Sequence, residues 1–489
     1  MVALFASALH GGLAWADGPD RGHVVLSVAG HAGPLELRPH GRGWSGAFQI
    51  QNAGPGSLRV LRVAVMDAAA DIGLPRGLRV TLGEATPATL APREIRDVLV
   101  SWDDLGPVRR AFAQVVVTST DEERGEVAMS VLASTPTSIG WVGRHALSLL
   151  VVWPLALVAF AALFGGGGPW ARTWLRRAAI GVFGLEWLLA LWAYGEFVPS
   201  LGRPDGDDGF QLVDRRVISA AAGIEWHLGV DATSILLVVL VATLVLVAAA
   251  GIDAGTSSYL SLALLASGAI GAFVALDLVV LFAAWELASA SVLVMAAAQR
   301  AEHPGAASES VAKGVAVGAV GLLAMLAALG AFVWASGPSF LVDGSHAAHT
   351  LSVPDLARTS FDGAKRIAGL PLGDAVWAML LVALVCAPAA TPLRGLLPDV
   401  MQDASAPAAA ALGGIAIALG PYLLVRLAFP NLPRGAGWAA PVVVALGAFE
   451  MIQSAVRVVT RRDARSGLAQ ATIALAGACL CAVGASRWR

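Results

Sequence analysis

FVALDLVVLFAAWELASASVLVM, from Phe273 to Met295, decides how the rest of the chain is read. From Leu278 onward it is apolar for about the 20 residues that a helix needs to cross a bilayer. Yet Glu286 stands beside Trp285 in the middle of the run, and Asp277 stands at its start. An acid at membrane depth is costly and is retained where it faces a bundle interior or a water-filled space. The segment therefore predicts a membrane helix that carries an ionisable group. The apolar block before it, 257–275, runs into it with only Leu276-Asp277 as a joint.

Working outward, blocks of the same length recur. They fall near 146–165, 173–195, 230–250, 257–275, 276–298, 311–336, 374–391, 405–427, 438–458 and 466–486. About ten transmembrane helices follow from this spacing, so 141–489 is expected to be a mainly α, polytopic membrane domain. Composition agrees: of 489 residues 57% are hydrophobic and 14% charged, with mean hydropathy +0.70, where soluble domains carry roughly 25% charge. A net charge of -2 offers no basic surface for nucleic acid. The cysteines, Cys386, Cys479 and Cys481, lie in apolar segments and form no Cys-x-x-Cys pair, which disfavours zinc, iron–sulfur and disulfide chemistry. No metal and no cofactor is expected. Arginine bias puts Arg172, Arg176, Arg177, Arg300, Lys313, Arg394 and Arg457 to Arg465 on the inner side. The chain's start is then outside the membrane, in the periplasm if this is a multi-pass protein of the bacterial inner membrane.

Residues 1–16 read as a secretory signal peptide: Val2 to Leu13 is apolar and Ala14-Trp15-Ala16 has the small-x-small cleavage pattern, although a basic n-region is missing. Between 17 and 140 the pattern changes to period two, as in Ala47-Phe48-Gln49-Ile50, Leu58 to Val63 and Phe112 to Thr118, with turns such as Asn52-Ala53-Gly54-Pro55-Gly56. Short alternating strands at this spacing predict an all-β sandwich. The order GAFQIQNAGPGSLRV … ATLAPREIRDVLVSW … VVVTSTD resembles immunoglobulin-like modules of the abnormal-spindle-homology kind, which implies a periplasmic binding or spacer domain.

The membrane region carries a second resemblance. HLGVDATSILLVVLVATL (His227 to Leu244) and the Phe273 to Met295 stretch resemble the antiporter-like, proton-translocating subunits of respiratory complex I. NADH-quinone oxidoreductase subunit M (ND4-like) and its relatives in multisubunit cation/proton antiporters are nearest. AKGVAVGAVGLLAML (Ala312 to Leu326), TPLRGLLPD (Thr391 to Asp399), GGIAIALGPYLLVR (Gly413 to Arg426) and TRRDARSGLAQATIALAG (Thr460 to Gly477) follow in family order. The resemblance implies that Glu286 occupies the family's fifth-span acid and Lys313 its lysine at the start of the sixth span. It also implies a seventh helix broken near Pro388 and Pro392. The lysines that the family places in spans seven and eight fall here on Cys386 or Ala387 and on Ala418, and the tenth-span histidine falls on Leu475. Spans eleven to fourteen have no counterpart before Arg489. A truncated, degenerate relative is therefore expected, one that does not pump alone.

The proton-path candidates are Glu286, Lys313 and Glu450. Glu286 reads either as a proton or coupling site or as a protonated carboxyl satisfied within the bundle. Glu450, with Gln453 and Arg457 further along the same helix face, reads either as a packed polar stripe or as a replacement relay. Asp277 suits a loop cap or a proton entrance, Asp231 and Ser234 a helix start, and His227 beside Trp226 an interfacial anchor. Gly413-Gly414 and Ala408 to Ala411 would admit a neighbouring helix. Three functions follow from these readings. The first is a diverged accessory or coupling subunit of a complex I-like translocase, with other membrane subunits and the lipid bilayer as partners and no redox chemistry of its own. The second is an envelope scaffold whose sandwich binds a partner. The third is a small-ion carrier that uses Glu286 and Glu450.

Overall fold

The computed structural model describes residues 24–27, 35–40, 43–70, 76–82, 87–104, 110–121, 125–134, 140–164, 169–197, 210–252, 256–302, 308–336, 339–341, 346–358, 365–387, 396–433, 435–460 and 464–486. The expected signal segment, 1–16, lies outside them, as do Pro388, Pro392 and Arg394.

The alternating region forms nine strands: β1 (Val24–Ser27), β2 (Leu35–His40), β3 (Gly43–Asn52), β4 (Leu58–Ala70), β5 (Arg76–Leu82), β6 (Ala88–Leu90), β7 (Ile95–Asp104), β8 (Arg110–Ser119) and β9 (Glu126–Ser134). Their order is β5-β7-β3-β2-β9-β8-β4-β6, with β1 also on β3. β2 changes partner midway: Arg38–His40 pair antiparallel with β3, while Leu35–Leu37 pair parallel with β9. Side chains two apart share a face of a strand. Phe48 and Ile50, Val98, Val100 and Trp102, and Val115 and Val117 accordingly meet in one apolar core. Asn52 fixes the Asn-Ala-Gly-Pro-Gly turn from within, its buried amide donating to Gly56 O at 2.7 Å and Leu90 O at 3.2 Å.

The second core is helical. Among the described residues eight helices are long and apolar enough to cross a membrane, and two shorter apolar ones accompany them. The first helix (Ala146–Val152, Ala156–Phe164) is pinched by a tight turn at Trp153–Leu155, where Pro154 cannot donate. The second is Pro169–Glu196, the third Ala232–Gly251, the fourth Thr256–Val274, the fifth Leu278–Glu302 and the sixth Ser308–Ala335. The seventh, Leu372–Cys386, stops where Ala387 turns extended, and a short helix, Leu396–Asp403, follows. The eighth, Ala406–Leu423, passes through a π-turn at Leu424–Ala428 into Phe429–Asn431. The ninth is Ala436–Thr460 and the tenth Ala464–Ser486. All ten expected blocks are helices.

Small residues set the close crossings. A Cβ on Gly271 would lie 2.8 Å from Ala284 Cβ, so the fourth helix lies tight on the fifth two residues from Glu286. Gly413 faces Met401 and Thr472, and Gly414 faces Leu244, so the Gly-Gly pair of the eighth helix is packed on both sides.

The segment before the third helix is not a plain loop. It is a hairpin of β10 (Gln211–Ser219) and β11 (Ile224–Val230) laid over one end of the bundle. Gly223 makes its turn at φ +66°, where a Cβ would meet His349 O at 2.8 Å. β11 continues into the joint between the fourth and fifth helices, with Leu276 N donating to His227 O at 2.9 Å and Val353 N donating to Leu276 O at 2.8 Å. His227 is therefore no interfacial anchor. It is 4% exposed, because the hairpin covers it.

Candidate functional site

The fifth helix buries Leu281, Trp285, Ala288 and Val292 along one face. Glu286 is one residue, about 100°, off that stripe and is half-buried at its margin. No hydrogen bond or ion pair reaches its carboxyl among the described residues. Lys313 is exposed in the first turns of the sixth helix. Counting helical rise along the antiparallel pair puts it roughly 16 Å from Glu286 along the axis, so the two do not pair.

Glu450 is 3% exposed, and its Oε2 has no hydrogen-bond partner. Gly447, Glu450 and Ser454 form the buried face of the ninth helix, while Gln453 and Arg457 are half-buried beside it. Gly447 meets Gly477 of the tenth helix, where a Cβ on Gly477 would fall 2.6 Å from Gly447 O and 3.1 Å from Glu450 Cβ.

A third acid escaped the sequence reading. Glu186, in the second helix, is 1% exposed, and neither of its carboxyl oxygens has a partner. It belongs to a buried stripe with Ala179, Phe183, Ala190 and Ala193, the spacing of one helix face. That stripe was the available signal: an acid in register with the apolar face, unlike the surface acids of an amphipathic helix. The adjacent Trp187 donates to Thr243 Oγ1 of the third helix at 3.1 Å, which fixes the pair of helices at this depth.

At the hairpin end every buried charge has a partner. Asp231 caps the third helix, accepting from Ser234 N at 2.7 Å and Thr233 N at 3.1 Å, while Ser234 Oγ accepts from Asp231 N. Arg426, presented by the π-turn of the eighth helix, donates to Asp231 Oδ2 at 2.7 Å and to Tyr422 Oη at 2.9 Å. Burial pushes the Asp231 carboxyl up, but Arg426 and the Ser234 donors outweigh it and hold the group below its ordinary value. On the hairpin, Arg215 pairs with Glu225 at 2.5 Å. Asp214 takes His145 Nδ1 at 2.9 Å and Ser148 Oγ at 2.6 Å, both from the first helix or its lead-in. Burial, with the Arg215 charge added, drives the His227 imidazole well below its ordinary value, so it is neutral at pH 7.

Asp277 caps the fifth helix. Its Oδ1 accepts from Val279 N at 2.8 Å and Val280 N at 3.2 Å, and its Oδ2 from Glu225 N at 3.2 Å. Burial pushes the carboxyl up to about 7 against those three donors. Among the described residues no group of His, Cys, Asp and Glu side chains could hold a metal ion.

The apolar helices are those of a multi-pass membrane protein, and Glu186 and Glu450 lie buried midway along two of them. Residues 275–488 match the family described as NADH:quinone oxidoreductase/Mrp antiporter, transmembrane. The chain is similar to NAD(P)H-quinone oxidoreductase chain 4 2 of Trichodesmium erythraeum, 27% identical over 307 residues, which cover 62% of this chain and 50% of that one. It thus spans about half the length of that curated relative. Two solved structures share the fold. Respiratory complex I from Thermus thermophilus with bound NADH superposes with a TM-score of 0.52 at 22% identity over 69% of this chain and 71% of that chain. The Mrp complex from Dietzia sp. DQ12-45-1b gives 0.51 at 19% identity over 70% of this chain and 34% of that one.

Proposed function

We propose that this chain is a diverged membrane subunit of a proton- or cation-translocating assembly, related to subunit M of NADH-quinone oxidoreductase, and that it couples or packs rather than pumps alone. The observation that carries the reading is Glu286: an acid in the helix where the family match begins, at mid-depth, with no partner among the described residues. An anchor has no use for such a group, which costs several kcal/mol to keep in a dry bundle without a counter-charge. The lysines that would switch a family acid are replaced by apolar residues or cysteine, so Glu286 works with groups on neighbouring subunits.

In this reading the hairpin end faces the periplasm and the arginine-bearing ends face the cytoplasm. Residues 17–140 form an immunoglobulin-like module outside the membrane, and 141–489 form the membrane domain of a bacterial inner-membrane protein. Glu450 and Lys313 belong to the same shared path. Any redox step resides in other subunits.

The test is purification in mild detergent, followed by proton-translocation assays on the reconstituted assembly. Other antiporter-like or quinone-reductase subunits should co-purify in fixed ratio, and Glu286→Gln should slow translocation by about 10²-fold with an unchanged subunit composition. Recovery of the chain alone, or unaltered translocation in E286Q, would overturn the reading.

A further inference from the structure

The eighth and ninth helices barely touch each other, and both pack on the tenth, which floors a groove between them. Ile473 and Leu480 of the tenth helix make the buried floor. Ile417 and Pro421 of the eighth helix and Ala476 of the tenth stand half-buried at the rim, so the groove opens outward, toward the bilayer. From Gly413 to Pro421 it runs roughly 12 Å, about two turns of helix. Gly413, Ala416 and Gly420 recur along one face of the eighth helix in that wall. Residues this small let the backbone of a second helix approach closely.

Glu450 is the one ionisable side chain in the lining among the described residues. It is buried, and no hydrogen bond or ion pair reaches its carboxyl among those residues. The cations of this chain are placed elsewhere: Arg457 stands two turns along the ninth helix, and Arg426 is held by Asp231 at 2.7 Å. Burying a carboxyl without a partner is costly, and a counter-charge brought into the groove offsets that cost. An acyl chain filling the groove would leave the carboxyl bare. A second copy has no cation to bring, because no lysine or arginine stands midway along any described span.

We propose that this groove is the docking site for a transmembrane helix of a different chain, which lies along Gly413, Ala416 and Gly420 and sets one lysine or arginine against Glu450. The contact is an interhelical ion pair, with no covalent bond made or broken. The inference rests on the proposed function, because it presumes an assembly, and it goes further by fixing where on this chain a partner sits and what side chain it brings.

Photo-crosslinking in the intact assembly tests it. A photoreactive residue substituted for Ile417 should form an adduct with a membrane segment of another subunit, and that segment should carry a lysine or arginine within one turn of the adduct. Glu450→Gln should lower the adduct yield about tenfold, and methionine in place of the opposing basic residue should lower it as much. In the double variant the two losses should not add, because they remove one contact. If E450Q fails to fold, the methionine replacement, which leaves this chain untouched, carries the test. No adduct, a lipid adduct, an adduct with a second copy, a segment without a basic residue, or additive losses would each overturn the proposal. Where one of these appears while other subunits still co-purify in fixed ratio, the proposed function stands and this inference falls. A chain recovered alone ends both.

Discussion

The hairpin end and the middle of the bundle treat buried charge in opposite ways. At the hairpin end Asp231 has Arg426, Glu225 has Arg215, Asp214 has His145 and Ser148, and Asp277 has three backbone donors. At mid-depth Glu186 and Glu450 are as deeply buried, yet they leave carboxyl oxygens unpartnered. A buried charge paired on both sides holds elements in place, and breaking the pair strands its partner at a cost of several kcal/mol. A buried acid with no partner adds little to stability and is free to take up or lose a proton. Stability should therefore be sensitive at the hairpin end and nearly indifferent at mid-depth, with function showing the reverse.

The strongest break of that contrast is Arg426→Met, which leaves Asp231 with its capping donors and no counter-charge. Thermal unfolding in detergent should show a loss of about 3–5 kcal/mol, and the double variant R426M/D231N should recover most of it. A melt unchanged by R426M would remove the distinction between the two regions. Next comes Gly477→Val. The added side chain would strike Gly447 O and Glu450 Cβ, so a loss of about 1–3 kcal/mol is expected from overpacking. Gly437→Ala, on the same ninth helix, has open space within 4 Å and should be neutral or better in the same melts.

Asp277 sharpens the comparison through pH. Its folded value, about 7, stands above the unfolded value of 3.8, so the native state favours the protonated form. The stabilisation is fully present below pH 3.8 and is lost as pH rises through 7, by an amount on the order of 4 kcal/mol. Melting curves of Asp277→Asn between pH 4 and 8 should lack that loss. A variant with the wild-type slope would assign the pH dependence elsewhere. The smallest effect belongs to Glu186→Gln, which keeps the shape and removes the ionisable group. Its melting point should stay within about 1 kcal/mol of wild type. A larger drop would show that Glu186 has a structural partner and belongs with the paired class.

How much of this was legible depended on how strongly each residue pattern repeats. Ten apolar runs of bilayer length are visible because every residue in a run contributes to the same signal, and the structure makes a helix of each. The strands at Leu58 and Arg110 show through alternation for the same reason. The β10–β11 hairpin was hidden because Gln211–Ser219 mixes Asp214, Arg215 and Arg216 into its alternation, which reads as a polar loop until the opposite strand and the bundle end bury it. That burial also turned His227 from an expected anchor into a covered side chain. Asp231 was read correctly as the start of a helix, but its partner Arg426 is 195 residues away, and only packing brings them together. Glu286 announced itself beside Trp285 in an otherwise apolar run, whereas Glu186 was lost among the tryptophans and leucines of the second helix.

The π-turn at Leu424–Ala428 matters for more than the arginine that it carries. A π-turn takes up one residue more than a regular turn, so the backbone absorbs an extra residue while the far segment keeps its facing. Asn431 and the Phe429 ring, which packs 4.9 Å from Trp377, hold their places because of it. Were the same residues wound as regular helix, everything beyond Ala428 would be rotated by about 100°. Phase rather than length thus decides which neighbour the far segment of this helix meets, and the wide turn acts like a shim that keeps two parts of one shaft aligned.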